Sequence, residues 1–400
     1  MKRRNFLTSS LALSALSVQA QESKANAEKS AESVLRGAPV ISGPDPASLA
    51  ILQAVRGPAS GYAEISLNQG AWQKVLPEQN GLVALEEHVL KFYLPNIDPG
   101  TELRYRVTAS TATYKNAYQI TRGKAETSDT YQLTTLDPNK KTTCFIIWND
   151  THENLETIRP LHELTLETKP DFLVWNGDQT NDVYAAEKMV EQYLSPGSLP
   201  IASHYPLAYL RGNHDLRGPA ARLVERFTHA PGEDFTYAFR SGPVACLAMD
   251  TGEDKPDDHP VFAGMVGCAA MRARQTKWLK KIITESWFQS APYKILFCHI
   301  PLWWEDEVTD HGYYWYQKPC REAWLDLLVK AGIQLVISGH THQTSLLPKT
   351  AERPIPQLIG GGPKKEAATI TQIVADEKKL TVTMKKLNGE IVHELSLDPT

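Results

Sequence analysis

Two histidines one residue apart, His340 and His342, stand in the string SGHTHQ (residues 338–343), directly after the apolar run 333–337. Alone, such a pair is an ordinary loop feature. Four other places in the chain change its meaning. The apolar run 143–148 leads into Asn149-Asp150-Thr151-His152. Run 171–175 leads into Asn176-Gly177-Asp178. Run 206–210 leads into Arg211-Gly212-Asn213-His214-Asp215, and run 293–298 into His299. Carboxylate, amide and imidazole donors with no thiolate among them suit divalent Zn, Mn or Fe. A carboxylate has two oxygens and can bridge two cations. Gly177, Gly212 and Gly339 let the backbone turn sharply and bring a ligand close. If His340 and His342 form an extended pair, both imidazoles face one site and Thr341 turns away.

These residues need a frame that gathers strand ends. From Lys141 onward, apolar strand-like runs at 143–148, 171–175, 206–210, 243–249, 293–298 and 333–337 alternate with helix-like segments at 182–194, 269–287 and 321–332. That rhythm is α/β architecture. In an open α/β sheet the carboxyl ends of the strands share one edge, and ligands bind there. Gly332 is a helix C-cap. Pro160 places the start of any helix between the first two strands near itself. Asn388-Gly389 marks a hairpin. Gly360 to Gly362 read as a tight strand turn rather than a phosphate loop, because no helix follows them.

The first part of the chain has a different rhythm. Residues 1–20 carry Lys2, Arg3 and Arg4 ahead of a mildly apolar stretch, with a small-x-small site at Val18-Gln19-Ala20, and read as an export signal. Arg3-Arg4 followed by Asn5-Phe6-Leu7 resembles the twin-arginine type, which implies a periplasmic or extracellular protein. Residues 21–37 are polar and read as a linker. Residues 38–137 hold short strand-like pieces separated by turn signals, a small all-β sandwich. The run LPNIDPGTELRYRV (94–107) resembles fibronectin type III-like domains, which precede the catalytic domain of plant-type purple acid phosphatases.

The order Asp150-x-His152, Gly177-Asp178, Gly212-Asn213-His214-Asp215, His299 and Gly339-His340-x-His342 resembles the calcineurin-like metallophosphoesterase family across residues 138–400. The resemblance implies an αββα sandwich: two packed mixed sheets flanked by helices. It implies two divalent ions, Mn, Zn or Fe. Asp150, His152 and His342 would hold the first, Asn213, His299 and His340 the second, and Asp178 would bridge them. His214 would face the substrate as general acid or charge stabiliser, and Asp215 would orient it and keep it cationic. The implied reaction is phosphoester hydrolysis, with a metal-bound hydroxide attacking phosphorus.

The chain departs from the purple enzymes at two positions. Their iron-ligating Tyr lies three residues after the bridging Asp, where this chain has Asn181, and their first motif lacks the His found here at His152. Both differences speak against a ferric-tyrosinate site and lean the reading toward a phosphodiesterase, with a phosphomonoesterase as the alternative. Arg211 or Arg217 near the metals would favour the monoester. An inactive binding module on the same fold would have lost ligands, and none is lost. The aromatic stretch 301–320 reads as a lid or pocket wall, with His311 a solvated loop residue. The loop 250–260, including His259, reads as either a rim of the site or a solvated turn.

Composition sets the remaining bounds. Of 400 residues, 42% are hydrophobic and 22% charged, ordinary for a globular protein. The formal net charge is −4, and removing the three basic residues of 1–20 gives 39 − 46 = −7. This is not the balance of a general nucleic-acid binder. No apolar run of membrane-spanning length exists; the family resemblance implies a small phosphate ester as the partner. Five cysteines include no Cys-x-x-Cys pair; Cys144, Cys246 and Cys298 read as buried, and Cys268 and Cys320 as a conceivable disulfide pair.

Overall fold

The computed structural model describes residues 33–305 and 316–400. The expected export signal, residues 21–32 of the expected linker, and residues 306–315 of the aromatic stretch, including His311, Tyr313, Tyr314 and Trp315, lie outside the described residues.

Two sheets face each other. One has nine strands in the order Ile391–Leu397, Leu380–Lys386, Thr369–Ala375, Thr143–Trp148, Phe172–Asn176, Leu207–Leu210, Val40–Asp45, Ser48–Ala54, Val89–Pro95. The other has six: Tyr237–Ser241, Val244–Ala248, Tyr293–Phe297, Leu335–Ser338, Gln357–Ile359, Ser345–Leu347. The period of two along each strand decides which core each side chain enters. Phe145, Ile147, Phe172 and Val174 meet Phe239, Cys246, Ile295 and Ile337 between the sheets. Their neighbours Ile146, Trp148, Leu173 and Trp175 point outward onto Ile158 and Leu161 of the Leu155–Thr168 helix. On the far side, Leu247, Leu296 and Val336 pack on Leu279 and Leu328 of the Cys268–Ile282 and Lys318–Ala331 helices. Strands buried on both faces read as continuous apolar runs for this reason.

The first sheet's central strands pair in parallel, Thr143–Trp148 with Phe172–Asn176 and that strand with Leu207–Leu210. In the second sheet Val244–Ala248, Tyr293–Phe297, Leu335–Ser338 and Gln357–Ile359 are also parallel. The carboxyl ends of each parallel set therefore share one edge.

Several expectations change. Pro160 lies inside the Leu155–Thr168 helix rather than at its start. Asn154 caps the helix earlier, its side chain accepting from the Glu156 N–H at 3.0 Å. The expected helix at 182–194 is a short α-turn, Ala186–Met189, followed by a π-turn, Val190–Leu194. The linker ends before residue 34: Val34 is buried in the sandwich core, and the Arg36 N–H donates to the Ala54 carbonyl at 2.9 Å. Gly332 caps its helix in the left-handed region, φ 74°. The Asn388-Gly389 hairpin forms, with Gly389 at φ 88°.

Residues 38–137 have an apolar core of their own, with Ile41, Ile51 and Phe92 on one layer and Ala63, Tyr105 and Val107 on the other. The layer containing Val40–Asp45 continues edge to edge into the parallel strands of the nine-stranded sheet through the Ser42–Leu207 pairing. The Ile41 N–H also donates to the Ala202 carbonyl at 2.8 Å.

Candidate metal centre

The strand ends converge as the parallel order requires. Donor atoms of Asp150, His152 and His342 lie within 4.8 Å of one another, and so do those of Asp178, His299 and His340; His152, Asp178 and His214 form a third group. Asn213 joins the second set, its Oδ1 2.9 Å from His340 Nδ1. The backbone is bent to achieve this. Asp150 (φ 48°), His152 (φ 44°), Asp178 (φ 52°), His340 (φ 71°) and His342 (φ 56°) all occupy the left-handed region. Side chains other than glycine avoid it at a cost on the order of 1 kcal/mol or more, and such strain collects at functional sites. His340 and His342 are therefore not an extended pair. Each turns inward by its own left-handed bend, and Thr341 between them is buried.

Glycines make room for the carboxylates. A Cβ on Gly212 would collide with Asp178 Oδ1, one on Gly339 with Asp150 Oδ2, and one on Gly177 with the His299 ring. The Gly360–Gly362 turn also belongs to the site, since Cβ atoms there would strike Asn149 and His342.

The hydrogen bonds show that the cluster needs positive charge. His299 Nδ1 can only donate to the Asn176 carbonyl, 2.9 Å away. Its Nε2, fully buried, then aims toward Asp178 Oδ2 at 3.1 Å and Asp150 Oδ1 at 3.9 Å without a hydrogen bond of normal geometry. His152 Nε2 and His342 Nε2 face each other at 3.0 Å. Such a knot of acceptors is stable only with protons or cations among it. Burial would lower the His299 pKa, but Asp178 and Asp150 outweigh it and hold the ring up at about 10. Burial would raise the Asp178 carboxyl, and His299 reverses this to well below the usual range. Burial, then His299, lowers His340 to about 4. Burial also lowers His152, keeping that imidazole neutral as a ligand must be. The donor set fits two divalent cations.

Asn181 is a positioning residue that its motif alone did not reveal. Its Oδ1 lies 3.1 Å from His152 Nδ1, its Nδ2 donates to the His152 carbonyl at 3.2 Å, and its own carbonyl accepts from His214 Nδ1 at 2.6 Å. Accepting at Nδ1 leaves the His152 Nε2 lone pair for the site, the usual outer support of a metal-bound imidazole.

Asp215 and His214 are held by different partners, and among the described residues no hydrogen bond or ion pair joins the Asp215 carboxylate to the His214 ring. The buried Asp215 carboxylate accepts from the Asp178 N–H (3.0 Å), the Gly212 N–H (2.8 Å) and the Tyr193 hydroxyl (2.9 Å). Burial, then Asp178, pushes that carboxyl up to about 7. It braces the loop backbone that carries Asp178 and Asn213. Tyr193, which sequence reasoning missed, reaches it from the π-turn.

His214 instead meets Arg217, whose Nη1 lies 3.0 Å from His214 Nε2. Arginine can only donate and the Asn181 carbonyl can only accept, so in this arrangement Nε2 accepts from Arg217 and Nδ1 donates to Asn181. Arg217 is itself clamped by Glu253 (3.1 and 3.0 Å) and Asp254 (2.9 Å). Burial opposes its charge, and these carboxylates outweigh that. The 250–260 loop is thus neither a plain rim nor a solvated turn, because Asp250, Glu253 and Asp254 are buried and hold arginines. Arg211 is directed away from the cluster: its Nε donates to Asp250 Oδ2 at 2.7 Å and its guanidinium stacks over Phe235. His259 only caps a turn, accepting from the Val261 N–H. Trp303 packs in the outer core rather than walling a pocket. All five cysteines are free.

Comparison with known proteins follows the same line. The family model for calcineurin-like phosphoesterases matches residues 145–344. The chain is similar to the zebrafish (Danio rerio) serine/threonine-protein phosphatase CPPED1, 27% identical over 183 residues, which is 45% of this chain and 56% of that protein. It is 27% identical to the human (Homo sapiens) protein of that name over 173 residues, 43% of this chain and 49% of that protein. The chain thus spans about half the length of the curated relatives it matches. Its fold is similar to that of the purple acid phosphatase PPD1 from yellow lupin (Lupinus luteus) seeds, with a TM-score of 0.68, 14% identity, and coverage of 90% of this chain and 74% of that one.

Proposed function

The chain belongs to the calcineurin-like phosphoesterase family, and from that premise we propose that it is a metal-dependent hydrolase of phosphate monoesters. The observation that carries this reading is the arrangement of six ligand-type side chains around Asp178 with the Arg217–His214 pair beside them. Asp150, His152 and His342 would hold one cation, Asn213, His299 and His340 the second, and Asp178 both. Two divalent cations bound there would supply charge neutralisation for phosphoryl oxygens and a lowered pKa for water.

The chain's own residues do the rest. Arg217 presents N–H groups where His214 Nε2 lies, and a phosphoryl oxygen entering there takes over the Arg217 donor. With the Arg217 donor turned to the phosphoryl oxygen, His214 Nε2 is free to take a proton from solvent and, as imidazolium, to give it to the leaving oxygen, while the Asn181 carbonyl holds the ring through Nδ1–H. A monoester carries about two negative charges near neutral pH and a diester one, so an additional arginine favours the monoester. The curated relatives are named phosphatases, in the same direction. This reverses the lean toward a diesterase. The diester reading keeps Asn181 and His152 in its favour, as departures from the purple enzymes. Comparing p-nitrophenyl phosphate with its bis-ester tests the choice: the monoester should win in kcat/KM by about tenfold or more, and the opposite order overturns it.

We also read residues 38–137 as a fibronectin type III-like module and 138–400 as the catalytic unit. The separate apolar core of the module supports the division. Export by the twin-arginine route rests on residues 1–20 alone; a mature chain beginning elsewhere than near Gln21 would contradict it.

A further inference from the structure

Arg217 also lines a cavity of about 530 Å³ that includes none of the metal-ligand candidates in its wall. The volume lies in the usual range of small-molecule sites, about 300–1,000 Å³. Its other lining includes Tyr184, Arg222, Val261, Phe262 and Met265. Tyr184 is 67% exposed, Val261 66% and Met265 66%. Large apolar side chains that exposed are ordinary when scattered singly, and informative when several line one cavity. The outer wall is preformed. The turn that carries it is closed by backbone hydrogen bonds from Phe262 to His259, Ala263 to Pro260 and Met265 to Phe262. Arg217, which lines this cavity, is also the residue whose Nη1 lies 3.0 Å from His214 Nε2.

We propose that this cavity receives the organic part of the phosphate ester and selects leaving groups with a large apolar body. The inference rests on the phosphoesterase reading for its orientation. With phosphate at the metal ligands and His214 delivering a proton to the leaving oxygen, the leaving group must emerge on the His214–Arg217 side. Arg217 lines the cavity.

The test uses the full-length chain loaded with Mn. Phenyl phosphate and 2-naphthyl phosphate have leaving groups of similar acidity and different apolar area. Their non-hydrolysable counterparts, benzylphosphonate and 2-naphthylmethylphosphonate, report binding alone. The naphthyl compound should be preferred in both kcat/KM and affinity by about fivefold or more, from the added apolar burial. Val261→Asp and Met265→Asp are exposed-site changes that should not threaten folding. Each should bring the preference close to one while leaving kcat for phenyl phosphate within about twofold. Turnover with no naphthyl preference, or with a preference unchanged in both variants, overturns the subsite and leaves the hydrolase reading intact. Selective phosphonate binding that the variants lose, without hydrolysis of any ester, supports the subsite and overturns the hydrolase reading.

Discussion

Arg217 donates to His214: Nη1 lies 3.0 Å from Nε2, and the opposite ring nitrogen is held by the Asn181 carbonyl at 2.6 Å. This contact places an arginine guanidinium against an imidazole whose ring belongs to the cluster of His152, Asp178 and His214.

Arg217→Met should therefore lower kcat/KM for a monoester far more than for a diester, by about tenfold in the ratio. It should also destabilise the fold by about 1–3 kcal/mol, because Glu253 and Asp254 lose their partner in a buried setting. Steady-state kinetics on both esters and urea unfolding measure the two effects. An unchanged ratio would remove Arg217 from substrate recognition.

His214→Ala should leave metal binding intact and slow turnover by roughly 10²–10⁴. Asp178→Ala should empty both cation sites, since that carboxylate lies between the two ligand sets. Metal analysis of the dialysed variants separates these outcomes. Equal metal loss in both would undo the distinction between ligand and proton carrier.

Asn181→Ala removes the acceptor that orients His152. Metal affinity should weaken by about 10–100-fold, as for other outer supports of ligating histidines. Titration calorimetry with Mn or Zn reads this without relying on activity. An affinity equal to that of the parent protein would make Asn181 a bystander.

Gly212→Ala tests the steric reading of the site. The added methyl has no room beside Asp178 Oδ1, so metal stoichiometry should fall below that of the parent even where the protein remains folded. Retention of both ions would mean that the loop yields more easily than its packing implies.

Acid sensitivity should depend on His229, at the seam between the sandwich and the catalytic unit. Burial, then Lys91, lowers its pKa to about 4. A lowered folded value means that the unfolded chain takes up the proton first, below about 6.5. The stabilisation is present above that pH and lost as pH falls toward 4. His229→Gln should flatten the stability profile between pH 7 and 4 by on the order of 1–3 kcal/mol. Urea unfolding at several pH values gives the comparison, and identical slopes would contradict it.

The catalytic strands were legible because both of their faces are buried, which writes them as continuous apolar runs from Thr143 to Ile337. The ligand set was legible because each polar group directly follows one of those runs. What the sequence could not carry was side-chain direction. Asp215 adjoins His214 in the chain but points to the backbone of Asp178 and Gly212. Arg217, three residues on, is the residue that reaches the imidazole. Asn181 stood out only as the place of a missing tyrosine, and its role emerges from the φ 44° bend at His152 that brings ring and amide together. Tyr193 arrives through a π-turn, which helical periodicity does not encode. The edge-to-edge joining of the sandwich to the catalytic sheet depends on one strand pairing across more than 160 residues, Ser42 with Leu207, and no local pattern announces it.

The most direct test of the central claim is metal content measured together with turnover. Metal-free protein reloaded with Mn or Zn should bind two ions per chain and hydrolyse p-nitrophenyl phosphate in proportion to occupancy. A folded protein that binds no divalent ion, or that binds two and hydrolyses neither this ester nor its bis-ester, would contradict the account.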